Sequence, residues 1–135
     1  MTHFAFSELN IWAILVASVL NMLIGALWYS KPLFGKQWMN YLGFKDNEPS
    51  SSPWTLVVVY VLGLVIAIMM AMFLQGTEGA KEGIVYGAAI GLGIVIPTIL
   101  THYLMEQRKA GFMFIIAGHE LLLFLVYGAL LGGWQ

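Results

Sequence analysis

The sequence contains no cysteine and few charged residues. Without cysteine the chain forms no disulfide framework, binds no iron–sulfur cluster and builds no cysteine-based zinc site. Charged residues make up 10% of its 135 residues, whereas soluble domains have roughly 25%. Six basic residues and a net charge of −1 provide no basic surface for nucleic acid. The composition therefore excludes a soluble monomer and argues against a nucleic-acid-binding protein.

Hydrophobic residues make up 60% of the chain and concentrate in four long stretches. A helix of about 20 apolar residues spans the hydrocarbon core of a bilayer. Glu120 is the only charged residue inside these stretches. We predict an all-α integral membrane protein, with one four-helix transmembrane domain over residues 1–135. The predicted spans are residues 11–28, 54–74, 83–103 and 111–133.

The loop between the first two spans predicts a short amphipathic helix over about residues 31–42. Ser30 is a suitable N-cap, Pro32 suits a first helical turn and Gly43 suits a helix end. Such a helix either lies in the headgroup plane, with Lys36 towards anionic lipid, or forms a lid packed over the bundle. The interfacial residues of this region are Trp28, Tyr29, Lys36 and Trp38.

Basic residues near span ends predict the orientation, because they tend to stay in the cytoplasm. Five of them lie in the first and third loops, and only Lys81 lies on the opposite side. The five are Lys31, Lys36, Lys45, Arg108 and Lys109. We therefore expect both termini outside the cytoplasm.

Small residues spaced four apart predict where the helices approach closely. The candidate packing glycines are Gly25 in the first span, Gly83, Gly87 and Gly91 in the third, and Gly128 and Gly132 in the fourth. We expect the first, third and fourth spans to make a tight contact. The second span, with Gly63 as its only glycine, is expected to face lipid or another subunit.

Several polar groups lie at similar depths and predict one intramembrane polar site. Pro97 removes a hydrogen bond from the Gly93 carbonyl and predicts a kink there. The other candidate members are Asn21, Thr98, His119, Glu120 and Tyr127. His119 projects about 100° away from Glu120 on a helix, so these two side chains need not touch.

Glu120 is the most informative residue, because a charge at the bilayer centre costs at least ~2.5–3.5 kcal/mol. It is either a proton- or cation-handling carboxylate or a protonated, hydrogen-bonded group that joins helices. His102 and Glu106 have a possible metal-ligand spacing, but they lie about two turns from the level of His119. We expect no metal, no haem or other cofactor, and no enzymatic activity.

The segment Asn21, Gly25, Trp28-Tyr29-Ser30, Phe34-Gly35-Lys36 and Trp38 resembles a family of small bacterial four-helix membrane proteins. That family is catalogued only as a domain of unknown function. The resemblance implies a bacterial cytoplasmic-membrane protein and transfers no activity. Small multidrug-resistance transporters have the same size and helix count, but their essential Glu lies in the first helix, where this chain has Asn21.

Two classes of function remain open. One is an oligomeric transporter or channel, because four helices of this length enclose little space by themselves. The other is a noncatalytic accessory or assembly subunit of a larger membrane complex. A water-filled path to Glu120 favours transport, and a dry, fully packed Glu120 favours the accessory role.

Overall fold

The computed structural model describes residues 5–43 and 52–135, so Lys45 lies outside the described residues. The described elements are helical and include four helices long and apolar enough to cross a membrane, which confirms the all-α fold. The α-helices are α1 (Ile11–Trp28), α2 (Gly35–Leu42), α3 (Pro53–Phe73), α4 (Ala80–Ile90), α5 (Ile96–Met105) and α6 (Ala110–Gly133). A π-helical turn, Gly91–Val95, joins α4 and α5 into one span.

Side-chain caps begin two of the spans. The Asn10 side chain accepts a hydrogen bond of 3.1 Å from the Ala13 amide at the start of α1. Ser52 accepts one of 3.2 Å from the Thr55 amide at the start of α3. Pro53 follows in the first position of α3, where its missing N–H costs no helical bond. These caps satisfy amides that the helices themselves leave without partners.

The short helix α2 begins at Gly35, later than the sequence predicted. Ser30 does not cap it, because its hydroxyl donates backwards to the Leu27 carbonyl at 2.5 Å and closes the end of α1. The Ser30 carbonyl accepts from the Gly35 amide at 2.9 Å. A Cβ at Gly35 would collide with the Tyr29 and Ser30 carbonyls, so this tight turn requires glycine. Gly43 ends α2 with φ +82°, as predicted.

Helix α6 is the centre of the bundle. In its most apolar window 44% of residues are buried, against 17–28% in the other spans. Helices α1 and α3 pack on each other and on α6, and among the described helices α4 makes the most extensive contact with α6. The core therefore forms around α6, and its buried residues include Leu123, Phe124 and Tyr127.

The contact between α4 and α6 depends on the predicted glycines. A Cβ on Gly83 would collide with the Gly128 carbonyl, and one on Gly87 would collide with the Phe124 carbonyl. A Cβ on Gly132 would lie 2.8 Å from the Gly83 Cα. The two backbones therefore approach without intervening side chains, as in other small-residue membrane interfaces.

The first span was expected to contact the third span. Instead, α1 packs on α3, which forms the second span. The main partners of α1 are α3 and α6. Ala13, Ala17 and Ala67 are fully buried there. Gly63, Ala67 and Ala71 of α3 are also spaced four apart, so the second span has a small-residue face as well. Its opposite face is exposed.

The disturbance at Pro97 takes the form of the π-helical turn Gly91–Val95. Proline cannot donate to the carbonyl four residues earlier, and a π turn is one way for a helix to accommodate that loss. Nearby hydroxyls donate to carbonyls of their own helix: Thr98 to Ile94 at 2.5 Å and Thr101 to Pro97 at 2.8 Å.

Candidate functional site

His119 and Glu120 form an ionisable pair inside the fourth span. Nδ1 of His119 lies 3.4 Å from Oε1 of Glu120. The two side chains therefore meet, although adjacent residues on a helix project about 100° apart. The Glu120 side chain is 20% exposed and the His119 side chain 11% exposed. At 1.5 Å per residue, the pair lies about 15 Å from the start of α6. It thus lies inside the helix, on the Ala110 side of the midpoint of α6, and is only partly accessible.

His119 is enclosed by the last turn of α1. Its ring centroid lies 5.2 Å from that of Tyr29 and 6.4 Å from that of Trp28. A Cβ on Gly25 would lie 3.8 Å from Nε2 of His119, an ordinary contact distance, so the imidazole edge lies directly against α1. Within the described residues, Nε2 is buried without a hydrogen-bond partner. One ring nitrogen therefore faces Glu120 while the other has no protein partner.

Trp28 fixes α1 against α6 beside this pair. Its indole Nε1 donates a hydrogen bond of 3.0 Å to the Ile115 carbonyl, one turn before His119. A Cβ on Gly118 would lie 2.8 Å from the indole ring, so the ring packs directly on the α6 backbone. The sequence predicted Trp28 as an interfacial residue on the packing face of the first span, without a partner for its indole. Gly118, directly before His119, was the signal that could have indicated this contact.

Helix α2 packs over the same end of the bundle. Trp38 lies on Tyr29 with ring centroids 4.6 Å apart, and Phe34 lies on Trp28 at 4.7 Å. Lys36 remains exposed on the opposite face. Burial raises the pKa of Tyr29, with the Glu120 carboxyl group as a second cause, so the phenol stays protonated. These contacts favour the lid packed over the bundle, one of the two expected arrangements of α2.

Asn21 and Tyr127 form a separate polar group between α1, α3 and α6. The Tyr127 hydroxyl is buried and donates to the Gly63 carbonyl at 3.3 Å. The Asn21 side chain occupies the space that a Cβ on Gly63 would need. These residues join three helices, and Glu120 and Tyr127 are two turns, about 10 Å, apart along α6.

Thr98 and Gly93 belong to neither group. Both are exposed, and a Cβ on Gly93 would meet no atom within 4 Å. Gly93 lies in the π turn and Thr98 lies in α5, which has no buried residue. Neither residue therefore reaches the polar groups. The single polar cluster predicted from depth alone is therefore two groups, with Thr98 and the Gly93 carbonyl outside both.

No metal cluster accompanies the pair in the described part of the chain. Residues 5–43 and 52–135 contain no group of three His, Asp or Glu side chains that could hold a metal ion. Three cavities formed by these residues are lined by other side chains than His119 and Glu120.

Comparison with known proteins identifies a family. The model of a family described as "Protein of unknown function (DUF1761)" matches residues 12–132, almost the whole chain. No curated protein and no solved structure matches.

Proposed function

We propose that this chain, which belongs to the DUF1761 family, is a small membrane transporter or channel subunit that binds a proton or another cation at His119 and Glu120. The observation that carries the proposal is the 3.4 Å contact between these side chains inside an apolar span. Ionisable groups inside apolar spans are costly, and they commonly mark ion pathways. No enzymatic chemistry is part of the proposal.

Exposure of the two side chains supports binding from one side of the bundle. Glu120 is one-fifth exposed, while Tyr127 and Asn21 fill the interior between α1, α3 and α6. A pathway through the centre of a single chain is therefore blocked by packed side chains. We infer that the pathway lies at the surface of α6 and is completed by another copy of the chain.

The direct test is ion flux in proteoliposomes that contain a pH-sensitive dye. Glu120→Gln keeps the size and hydrogen bonding of the protonated acid but cannot release a proton. We expect this variant to lose at least tenfold in proton flux, with an unchanged melting temperature. Glu78→Gln is the matched control, since Glu78 is exposed outside the spans and should leave the flux unchanged. Equal flux in the wild type and Glu120→Gln would overturn the proposal.

An accessory or assembly subunit is the second candidate. It is favoured by the tightly packed interior around Tyr127, which is fully buried. In this case Glu120 and His119 hold helices together. Wild-type proteoliposomes would then show no flux above empty liposomes, while Glu120→Leu would lower the stability of the bundle.

We further propose that the protein lies in the bacterial inner membrane with both termini outside. Basic residues of the first and third loops support this orientation. Single cysteines at Gln37 and Glu78, both exposed, can be tested with a membrane-impermeant label in intact cells. We expect labelling at residue 78 alone, and labelling at residue 37 alone would reverse the orientation.

A further inference from the structure

An apolar groove runs between α5 and the first half of α6. Its volume is about 560 Å³, within the range of roughly 300–1,000 Å³ that is usual for ligand pockets. Leu92 and Leu104 lie at its two ends on the third span, and Ala110 and Leu121 lie at its ends on α6. The side chains between them, Ile96, Leu100, Met113, Phe114 and Ala117, are also apolar.

The groove exists because the glycine contact between the third and fourth spans ends at Gly91. A Cβ at Gly91 would still lie 3.1 Å from the Phe124 side chain, whereas one at Gly93 would meet no atom. Beyond the π turn, no residue of α5 is buried. The space between α5 and the first half of α6 therefore stays open to the side.

The dimensions of the groove fit one hydrocarbon chain. From Leu92 to Leu104 the span rises about 18 Å, close to the ~15 Å thickness of one leaflet of the hydrocarbon core. The length of the groove therefore suits an extended acyl chain of one leaflet.

The end of the groove beside Ala110 carries a positive charge. Lys109, the residue before Ala110, is exposed and makes no ion pair among the described residues. Arg108 is different: its Nε lies 3.1 Å from a Glu106 oxygen, and its guanidinium lies over the Phe112 ring. The free charge at this end is thus that of Lys109, which can reach the level of lipid headgroups.

We propose that this groove is a binding site for an anionic phospholipid, with one acyl chain along α5 and α6 and the phosphate beside Lys109. The charge of Lys109 selects the anionic headgroup, and the length of the groove places the phosphate at the membrane surface. This proposal is independent of the role of Glu120.

Native mass spectrometry of the whole purified protein, titrated with phosphatidylglycerol or phosphatidylcholine, tests the site. We expect phosphatidylglycerol to bind about fivefold more tightly, the effect of one lysine near the surface. Lys109→Gln should remove this preference without weakening the binding of phosphatidylcholine. Ala117→Phe fills the groove and should weaken the binding of both lipids at least fivefold. Val61→Phe, on the exposed face of α3, is the matched control and should weaken neither.

Three outcomes would overturn the proposal. The first is unchanged lipid binding by Ala117→Phe, and the second is an equal loss in Val61→Phe. The third is a wild-type dimer that Ala117→Phe dissociates with no change in lipid binding, which would assign the groove to a second copy. Melting temperatures show whether each variant folds. If Ala117→Phe does not fold, Leu100→Phe on the opposite wall replaces it with the same expected outcomes.

Discussion

The two halves of the third span differ in how they pack on the fourth. Helix α4 approaches α6 so closely that its glycines face backbone carbonyls, whereas α5 buries no residue against it. Both halves are apolar and both belong to one continuous span. Hydrophobicity therefore does not decide which half packs. In a membrane, apolar side chains are as stable against lipid tails as against another helix. Close contact between helices therefore depends on small residues that let their backbones approach.

The largest expected effect comes from filling the tight half. Gly87→Leu places a side chain against the Phe124 carbonyl, a backbone atom that cannot move aside. We expect a loss of about 3 kcal/mol or more in the free energy of unfolding, at the upper end of overpacking effects. Unfolding in mixed micelles, followed by circular dichroism, measures it. A loss below 1 kcal/mol would mean that α4 and α6 separate easily.

A smaller effect is expected where the tight half ends. Gly91→Ala brings a methyl group within 3.1 Å of the Phe124 Cβ, which can shift by a few tenths of an ångström. We expect the free energy of unfolding to fall by about 1 kcal/mol, which is less than for Gly87→Leu. A loss equal to that of Gly87→Leu would show that the tight contact extends into the π turn.

The loose half should tolerate truncation. Leu100→Ala removes a side chain that is only half buried, so we expect a loss below about 1 kcal/mol. Leu123→Ala on α6 is the matched comparison, because Leu123 is 2% exposed and belongs to the core. Its loss should be about 2–5 kcal/mol if core packing costs resemble those of soluble proteins. Equal losses would remove the distinction between the two halves.

The smallest effect, with the opposite sign, is expected at Gly93. Its added methyl group meets no atom, and alanine reduces the freedom of the unfolded chain. We expect Gly93→Ala to stabilise the protein by about 0.5 kcal/mol, measured by the same unfolding transition. Destabilisation beyond 1 kcal/mol would show that the π turn itself requires glycine.

The helices and one of their interfaces follow from local features of the sequence. Long apolar runs define the spans, and the fourfold spacing of Gly83 and Gly87 predicts a contact because the helical repeat places them on one ridge. The same spacing occurs for Ala13 and Ala17 in α1, and again around Ala67 in α3, so it also indicates the α1–α3 contact. Alanine is a weaker signal than glycine because it is common in apolar helices.

The arrangement of the polar groups could not be predicted in the same way. Depth along a helix follows from residue number, but the direction of a side chain depends on how each helix is rotated against its neighbours. Thr98 has the depth of His119 and yet lies on an exposed face. The contact of Trp28 with the Ile115 carbonyl likewise depends on the approach of α1 to α6, which no local pattern encodes.

The central position of α6 has a consequence for biogenesis. This helix follows the other three spans in the chain, so it enters the membrane after them. Helices α1 and α3 can pair while synthesis continues, but the glycine face of α4 has its partner only when α6 has been inserted. A ribosome that stalls before residue 110 therefore leaves the α1–α3 pair and an unpartnered third span in the bilayer. The third span is then the expected target for membrane quality control during synthesis.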